Sequence, residues 1–222
     1  MSFLDTAWVD PAVRALRPDY SALLLAASGL TPGPSDAHSE RALVAAVSAA
    51  PPPDAPHVVQ WREAFRAFGA KPQRTRPSVD ALLRRVDALP RIDRLTDTYN
   101  AVSVRHAVPV GGEDLAAYEG PLRLVRAVGD EDFDTVADGA AVVEHPLPGE
   151  VVWRDDRGVT CRRWNWRQCA RTRITGTTTD AVFILDGLGA LGVDGLRAAG
   201  DDLASLLVAA NPAVVVESRL LP

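Results

Sequence analysis

Residues 91–115 read RIDRLTDTYNAVSVRHAVPVGGEDL, and the change of period inside this stretch decides the fold class. Ile92, Leu95, Tyr99 and Val102 recur at helical spacing, and beyond Gly111-Gly112 the apolar positions turn to period two. Upstream, Tyr20–Leu25 reads as a strand. Three amphipathic helices follow, carried by Ala42, Leu43, Ala46 and Val47, by Trp61, Ala64, Phe65 and Phe68, and by Val79, Leu82, Leu83 and Val86 behind an N-cap at Ser78. Downstream, strands are expected at Leu122–Val128, Val142-Val143, Val151–Trp153, Val159–Arg167, Ala181–Leu185 and Ala213–Val216, with one helix over 194–210. Helices first and strands later predict an α+β domain with a helical N-terminal half and a strand-rich C-terminal half.

The chain has 222 residues, 47% of them hydrophobic and 24% charged, the composition of a packed globular chain. No apolar run approaches the roughly 20 residues a bilayer crossing needs. The N-terminus MSFLDTAWVD has no signal-peptide pattern, so a cytoplasmic protein with no membrane partner is expected. Cys161 and Cys169 are expected as free thiols.

Of 24 basic residues only Lys71 is lysine, and arginine abundance by itself is discounted as a nucleic-acid signal. Charge is nevertheless segregated. Residues 113–156 hold 12 acids against 3 bases, 157–173 hold six arginines and no acid, and 62–94 hold nine bases against four acids.

Gly187, Gly189 and Gly192 form a G-x-G-x-x-G after an apolar strand, with Glu217 near the ribose-binding offset. One such unit, five residues from the end of the sequence, leaves no room for a doubly wound sheet, and no dinucleotide is expected. No P-loop or nucleophile elbow is present, and His38, His57, His106 and His145 have no metal-ligand spacing. Neither cofactor nor metal is expected.

Two segments carry chemistry. Thr96, Asn100 and Ser103 lie at i, i+4 and i+7 beside the apolar stripe, either lining a pocket or satisfying one another in the core. In RRWNWRQ (162–168) a strand puts Trp164 and Trp166 on one face with Arg162 and Gln168, and Arg163, Asn165 and Arg167 on the other. Rings beside guanidinium groups suit bases and phosphates. Alternatively the tryptophans are core and the arginines pair with the acidic stretch.

The ordered blocks FRAFGAKPQRTRPSVDALLRRV, LPRIDRLTDTYNAVSVRHAVPVGGEDL, GEVVWRDDRGVTCRRWNWRQCARTRIT and TTTDAVFILDGL resemble the free-standing B3/B4 domain proteins. These are relatives of the editing module in the beta subunit of bacterial phenylalanyl-tRNA synthetase. The resemblance runs from about Trp61 to Val216, within a single domain spanning 1–222 on which residues 1–55 pack as an N-terminal extension. It implies a central pocket and, in the synthetase, hydrolysis of tyrosine wrongly attached to the phenylalanine tRNA.

Carried over, the synthetase's Thr-Asn pair falls on Tyr99 and Asn100, and its P-x-H-x-x-D element on Pro109, Gly111 and Asp114, with glycine in place of the histidine. The recognition glutamate falls in Trp166–Arg171, which contains no acid. The resemblance therefore implies Asn100 as the water-positioning residue. It implies a pocket of Tyr99, Ser103, Pro109, Gly111, Gly112, Asp114, Trp164, Trp166, Arg167, Gln168, Thr178 and Gly187. Arg157, Arg162, Arg163, Arg171 and Arg173 are expected to hold RNA. The partners expected are tRNA and a small aminoacyl ligand, with no DNA. The activity expected is deacylation of mischarged aminoacyl-tRNA, or else non-catalytic binding of tRNA or of an amino-acid-like or nucleotide-like ligand.

Overall fold

The structure, a computed structural model, describes residues 2–222. Among the described residues, eleven strands and six α-helices alternate irregularly: β1 (Trp8–Val9), α1 (Pro11–Leu16), β2 (Ser21–Ser28), α2 (Ala37–Ser48), α3 (Pro56–Ala67), α4 (Ser78–Leu83) and α5 (Arg94–His106). Then come β3 (Val110–Asp114), β4 (Arg123–Arg126), β5 (Phe133–Ala137), β6 (Ala140–Glu144), β7 (Val151–Arg154), β8 (Val159–Arg162) and β9 (Arg167–Gln168). The chain closes with β10 (Asp180–Gly187), α6 (Gly192–Ala210) and β11 (Val215–Leu221). The class is α+β, helices dominating before residue 107 and strands after it.

The strands form a four-stranded sheet ordered β11-β2-β10-β3, a five-stranded sheet ordered β1-β4-β7-β8-β9, and the β5–β6 hairpin. The apolar runs in β2 (SALLLAAS) and β10 (DAVFILDG) have no polar alternation because both faces of the sheet are covered. Ala22, Leu24, Val182 and Ile184 join one core with Trp61, Phe65, Leu124, Trp153 and Trp164. Leu23, Leu25, Phe183 and Leu185 join the other, beneath Leu196 and Leu203 of α6 and Val102 of α5. Burying leucine- and phenylalanine-sized groups on both faces stabilises by about 1.5–3 kcal/mol per side chain.

Within the first 55 residues, β2 is an inner strand of the four-stranded sheet, bonded to both β10 and β11. Two local expectations change. Ser78 is the first helical residue of α4 behind Pro77, and no side chain caps this helix. The expected strand over 159–167 breaks after Arg162 into a turn, with Arg163 (φ 48°) and Trp164 (φ 68°) both left-handed.

The glycine motif is a β10–α6 connection whose amides already have partners. Leu188 N donates to His57 Nε2 (3.0 Å), Gly189 N to Asp19 Oδ2 (3.0 Å) and Ala190 N to Gln60 Oε1 (2.8 Å). The Arg17 guanidinium and the Gly189 amide hold the Asp19 carboxyl down at about 2, so a resident carboxylate sits where a phosphate would.

Strand parity fixes what faces the interior between the sheets. β3 pairs with β10 so that Gly111 lies opposite Ile184 and Glu113 opposite Val182, while Gly112 lies opposite Phe183 on the α6 side. A Cβ on Gly112 would meet Ile174 Cδ1 at 2.7 Å, Phe183 Cε1 at 2.9 Å and Tyr99 Cε1 at 3.0 Å. Gly112→Ala is therefore expected to lower the unfolding free energy by about 1–3 kcal/mol in denaturant titration. Gly111→Ala, whose Cβ would meet only the Gln168 side chain, Nε2 at 3.0 Å and Cδ at 3.8 Å, should cost clearly less.

Candidate functional site

A cavity of about 590 Å³ lies where α4, α5, the β3/β10 face and the β8–β9 turn converge. The turn depends on Trp164, whose ring is fully buried edge-on to Tyr20 (5.0 Å) and Trp61 (5.3 Å). Its amide donates to Val151 O at 2.6 Å, and Ser78 N donates to Asn165 O at 3.2 Å. Two successive left-handed non-glycine residues cost on the order of 1–3 kcal/mol each, which burial of the indole offsets. The turn aims Asn165 inward and leaves Trp166 half-buried under the Arg163 guanidinium, 4.4 Å from its ring.

Of the residues expected at the pocket, Tyr99, Asn100, Gly111, Trp164, Trp166, Arg167 and Gln168 line this cavity. Ser103, Pro109, Gly112, Asp114, Thr178 and Gly187 do not. Ser103 donates to Val108 O (2.6 Å) inside the core, and Thr178 to Asp114 Oδ2 (2.6 Å). Gly112 and Gly187 fall on the opposite strand parity from Gly111 and Asp186. The Thr96–Asn100–Ser103 strip thus divides, its first two members facing the cavity and the third serving the core.

The cavity's acids, Glu113 on β3 and Asp186 on β10, are residues that the resemblance did not single out. Glu113 of β3 is wholly buried, with Oε2 accepting from the Tyr118 hydroxyl and from Thr172 Oγ1 (3.1 Å). Its Oε1 has no hydrogen-bond partner, and burial pushes its carboxyl upward. Asp186 of β10 is 2% exposed; it accepts from Tyr20 Oη at 2.6 Å and from Asn165 Nδ2 at 3.4 Å. Burial pushes Asp186 up to about 7, against the opposing pull of the Tyr20, Asn165 and Trp153 donors. Tyr99 is pushed up to about 12, also by burial, so its hydroxyl stays protonated. The Asn100 amide, half-buried in the wall, has no hydrogen-bond partner among the described residues.

The expected RNA surface is corrected by its ion pairs. Arg162 is 5% exposed, with Nε and Nη2 on Glu150 (2.9 and 3.0 Å) and Nη1 on Glu144 (2.8 Å). Arg171 holds both oxygens of the buried Asp155 at 2.8 Å. Neither faces solvent in a way that can meet a phosphate. Arg163 and Arg167 are partly engaged by Glu150 (3.6 Å) and Glu144 (3.8 Å), Arg157 by Glu119 (3.3 Å), and Arg173 is exposed. Five of the six arginines of 157–173 thus pair with acids of 113–156.

The free cations come from the 62–94 stretch instead. Asp80 gathers Arg62, Arg76 and Arg84, but Arg74 and Arg85, which both line the cavity, have no carboxylate in ion-pairing distance among the described residues. Among those residues no metal-ligating cluster assembles, and no helix is long and apolar enough to cross a membrane. Cys161 and Cys169 are free and buried, which raises both thiols.

These elements define an α+β domain with an aromatic-walled pocket, acids on its strands and arginines at its border. The chain belongs to the B3/4 domain family, whose model matches residues 60–194. Among solved structures it is similar to an N-terminal fragment of the phenylalanyl-tRNA synthetase beta-subunit from Pyrococcus horikoshii, at 12% identity and a TM-score of 0.49. That match covers 98% of this chain and 54% of the other, so the chain spans about half the length of that structure. Comparison with curated proteins gave no match.

Asp186 has a thermodynamic signature. Its folded pKa lies above the unfolded value, so the folded state binds the extra proton between about pH 4 and 7 and loses stability as pH rises through that window. Asp186→Asn should abolish this decline. Denaturant titrations of both proteins at pH 5 and 7.5 are expected to show the wild type losing on the order of a few kcal/mol more than the variant between the two values.

Proposed function

We propose that this protein is an RNA-associated hydrolase that deacylates mischarged aminoacyl-tRNA in trans. The observation that carries the reading is the pairing, in one cavity, of the buried Asp186 carboxylate with the partner-free Asn100 amide. An aminoacyl ester is already activated, so hydrolysis needs a positioned water, a base and a donor for the developing oxyanion. A group that titrates near 7 is suited to the base.

In this reading Asp186 takes a proton from water as the oxygen attacks the ester carbonyl, and Asn100 Nδ2 donates to the oxyanion. The carbonyl carbon–oxygen bond to the ribose then breaks, and the proton held by Asp186 passes to the leaving ribose oxygen. Tyr20 positions Asp186 and tempers its basicity. Arg74 and Arg85 give the border the positive charge that a phosphate-bearing ligand requires.

A second reading is a non-catalytic module binding tRNA or a small amino-acid-like or nucleotide-like ligand. It is supported by the hydrogen bonds that already engage both oxygens of Asp186. A panel of correctly and incorrectly charged tRNAs, followed for ester loss, separates the two. The editing reading expects selective hydrolysis of a mischarged species, with a rate rising through an apparent pKa near 7. It expects Asp186→Asn to lose about 10²–10⁴-fold and the pH dependence with it, and Asn100→Ala to lose about 10²–10³-fold. Absence of hydrolysis across the panel by folded protein would leave the binding reading.

A further inference from the structure

A second cavity, of about 410 Å³, lies beside the first, and Arg74 lines both. Its walls include Phe68, Lys71, Thr75, Leu147 and Arg163. The two spaces also meet through Trp166, which lines the first and carries on its ring the Arg163 guanidinium that lines the second. The one acid in the second cavity's wall, Glu150, is 3% exposed and already held by both Nε and Nη2 of Arg162. Lys71 and Arg74 are exposed and have no ion-pair partner among the described residues.

Resting on the reading of the main cavity as an aminoacyl-ester site, we infer that this second cavity is a binding subsite for the phosphodiester chain leading to the esterified nucleotide. The ligand is thus a polynucleotide end and not a free aminoacyl nucleoside. Arg74 sits at the crossing point between the two spaces. Lys71 and Arg163 face the phosphates beyond it, while Phe68 and the exposed Leu147 offer apolar contact to a sugar or base. The cations surround a groove, so they suit the diffuse charge of a backbone and read no sequence.

The chemistry explains an oddity of the charge distribution. The six arginines of 157–173 are largely spent on internal acids, and apart from Arg163 the subsite draws its cations from the turn after α3, where the only lysine of the chain lies. Lys71 is exposed and bonded through its backbone alone, so its side chain is changed without touching the core.

The test compares Lys71→Glu with Arg197→Glu, the same reversal of charge at an exposed site on α6. Each is assayed on the aminoacyl-tRNA that the charged-tRNA panel selects and on the 3′-aminoacyl-adenosine ester of the same amino acid. The subsite predicts that Lys71→Glu raises KM for the tRNA several-fold, leaves kcat and the adenosine ester unchanged, and lowers the slope of log affinity against log salt by about one. Arg197→Glu should change neither substrate. Equal effects of the two variants, or of Lys71→Glu on both substrates, would overturn the subsite and leave the hydrolase reading standing. If the panel selects no substrate, the hydrolase reading falls and the subsite is tested alone by filter binding of uncharged tRNA. Weaker binding by Lys71→Glu only would then support it, and no binding or no difference would overturn it.

Discussion

Burial of the Trp164 indole is the constraint on which the site depends. The ring sits among Tyr20, Trp61 and Phe68, and it is reached only if the chain turns left-handed at Arg163 and Trp164 straight after β8. That turn ends the strand, presents Asn165 to Asp186, and swings Trp166 outward beneath Arg163. Tyr20 is shared between the two arrangements, touching the Trp164 ring and donating to Asp186. Core packing and the electrostatics of the pocket are thus one structure.

The second organising feature is the way charge is distributed. A stretch of arginines next to tryptophans invites an RNA interface, yet Arg162 and Arg171 lie against Glu150 and Asp155 with excellent geometry and little exposure. Removing one partner of such a pair strands a buried charge at a cost of about 3–5 kcal/mol, so their loss would read as instability. Asp80 collects Arg62, Arg76 and Arg84, while Lys71, Arg74 and Arg85 have no ion-pair partner among the described residues. Positive potential at the border results from where the acids are as much as from where the bases are.

The helical stripe before Gly111 and the apolar runs of β2 and β10 made the α+β class legible from sequence, since periodicity is set locally by what each face must bury. Asn100 and Gly111 were legible through a family pattern. Glu113 and Asp186 were not, although strand parity was available: a residue two along from Gly111 shares its face, and so does one two along from Ile184. The left-handed turn was invisible because arginine and tryptophan rarely adopt it, and only tertiary burial of the indole compensates the local preference. The destination of each arginine was likewise undecidable, because ion pairs join residues distant in sequence.

The proposed chemistry requires Asp186 and Asn100 to face the same reacting carbonyl. The most direct measurement is a crystal structure with an amide-linked, non-hydrolysable 3′-aminoacyl-adenosine. The amide carbonyl oxygen is expected within hydrogen-bond reach of Asn100 Nδ2, with a water about 3 Å from both the carbonyl carbon and the Asp186 carboxylate. An analogue whose carbonyl lies out at the Arg85 border, with Asp186 still closed off by Tyr20 and Asn165, would contradict it.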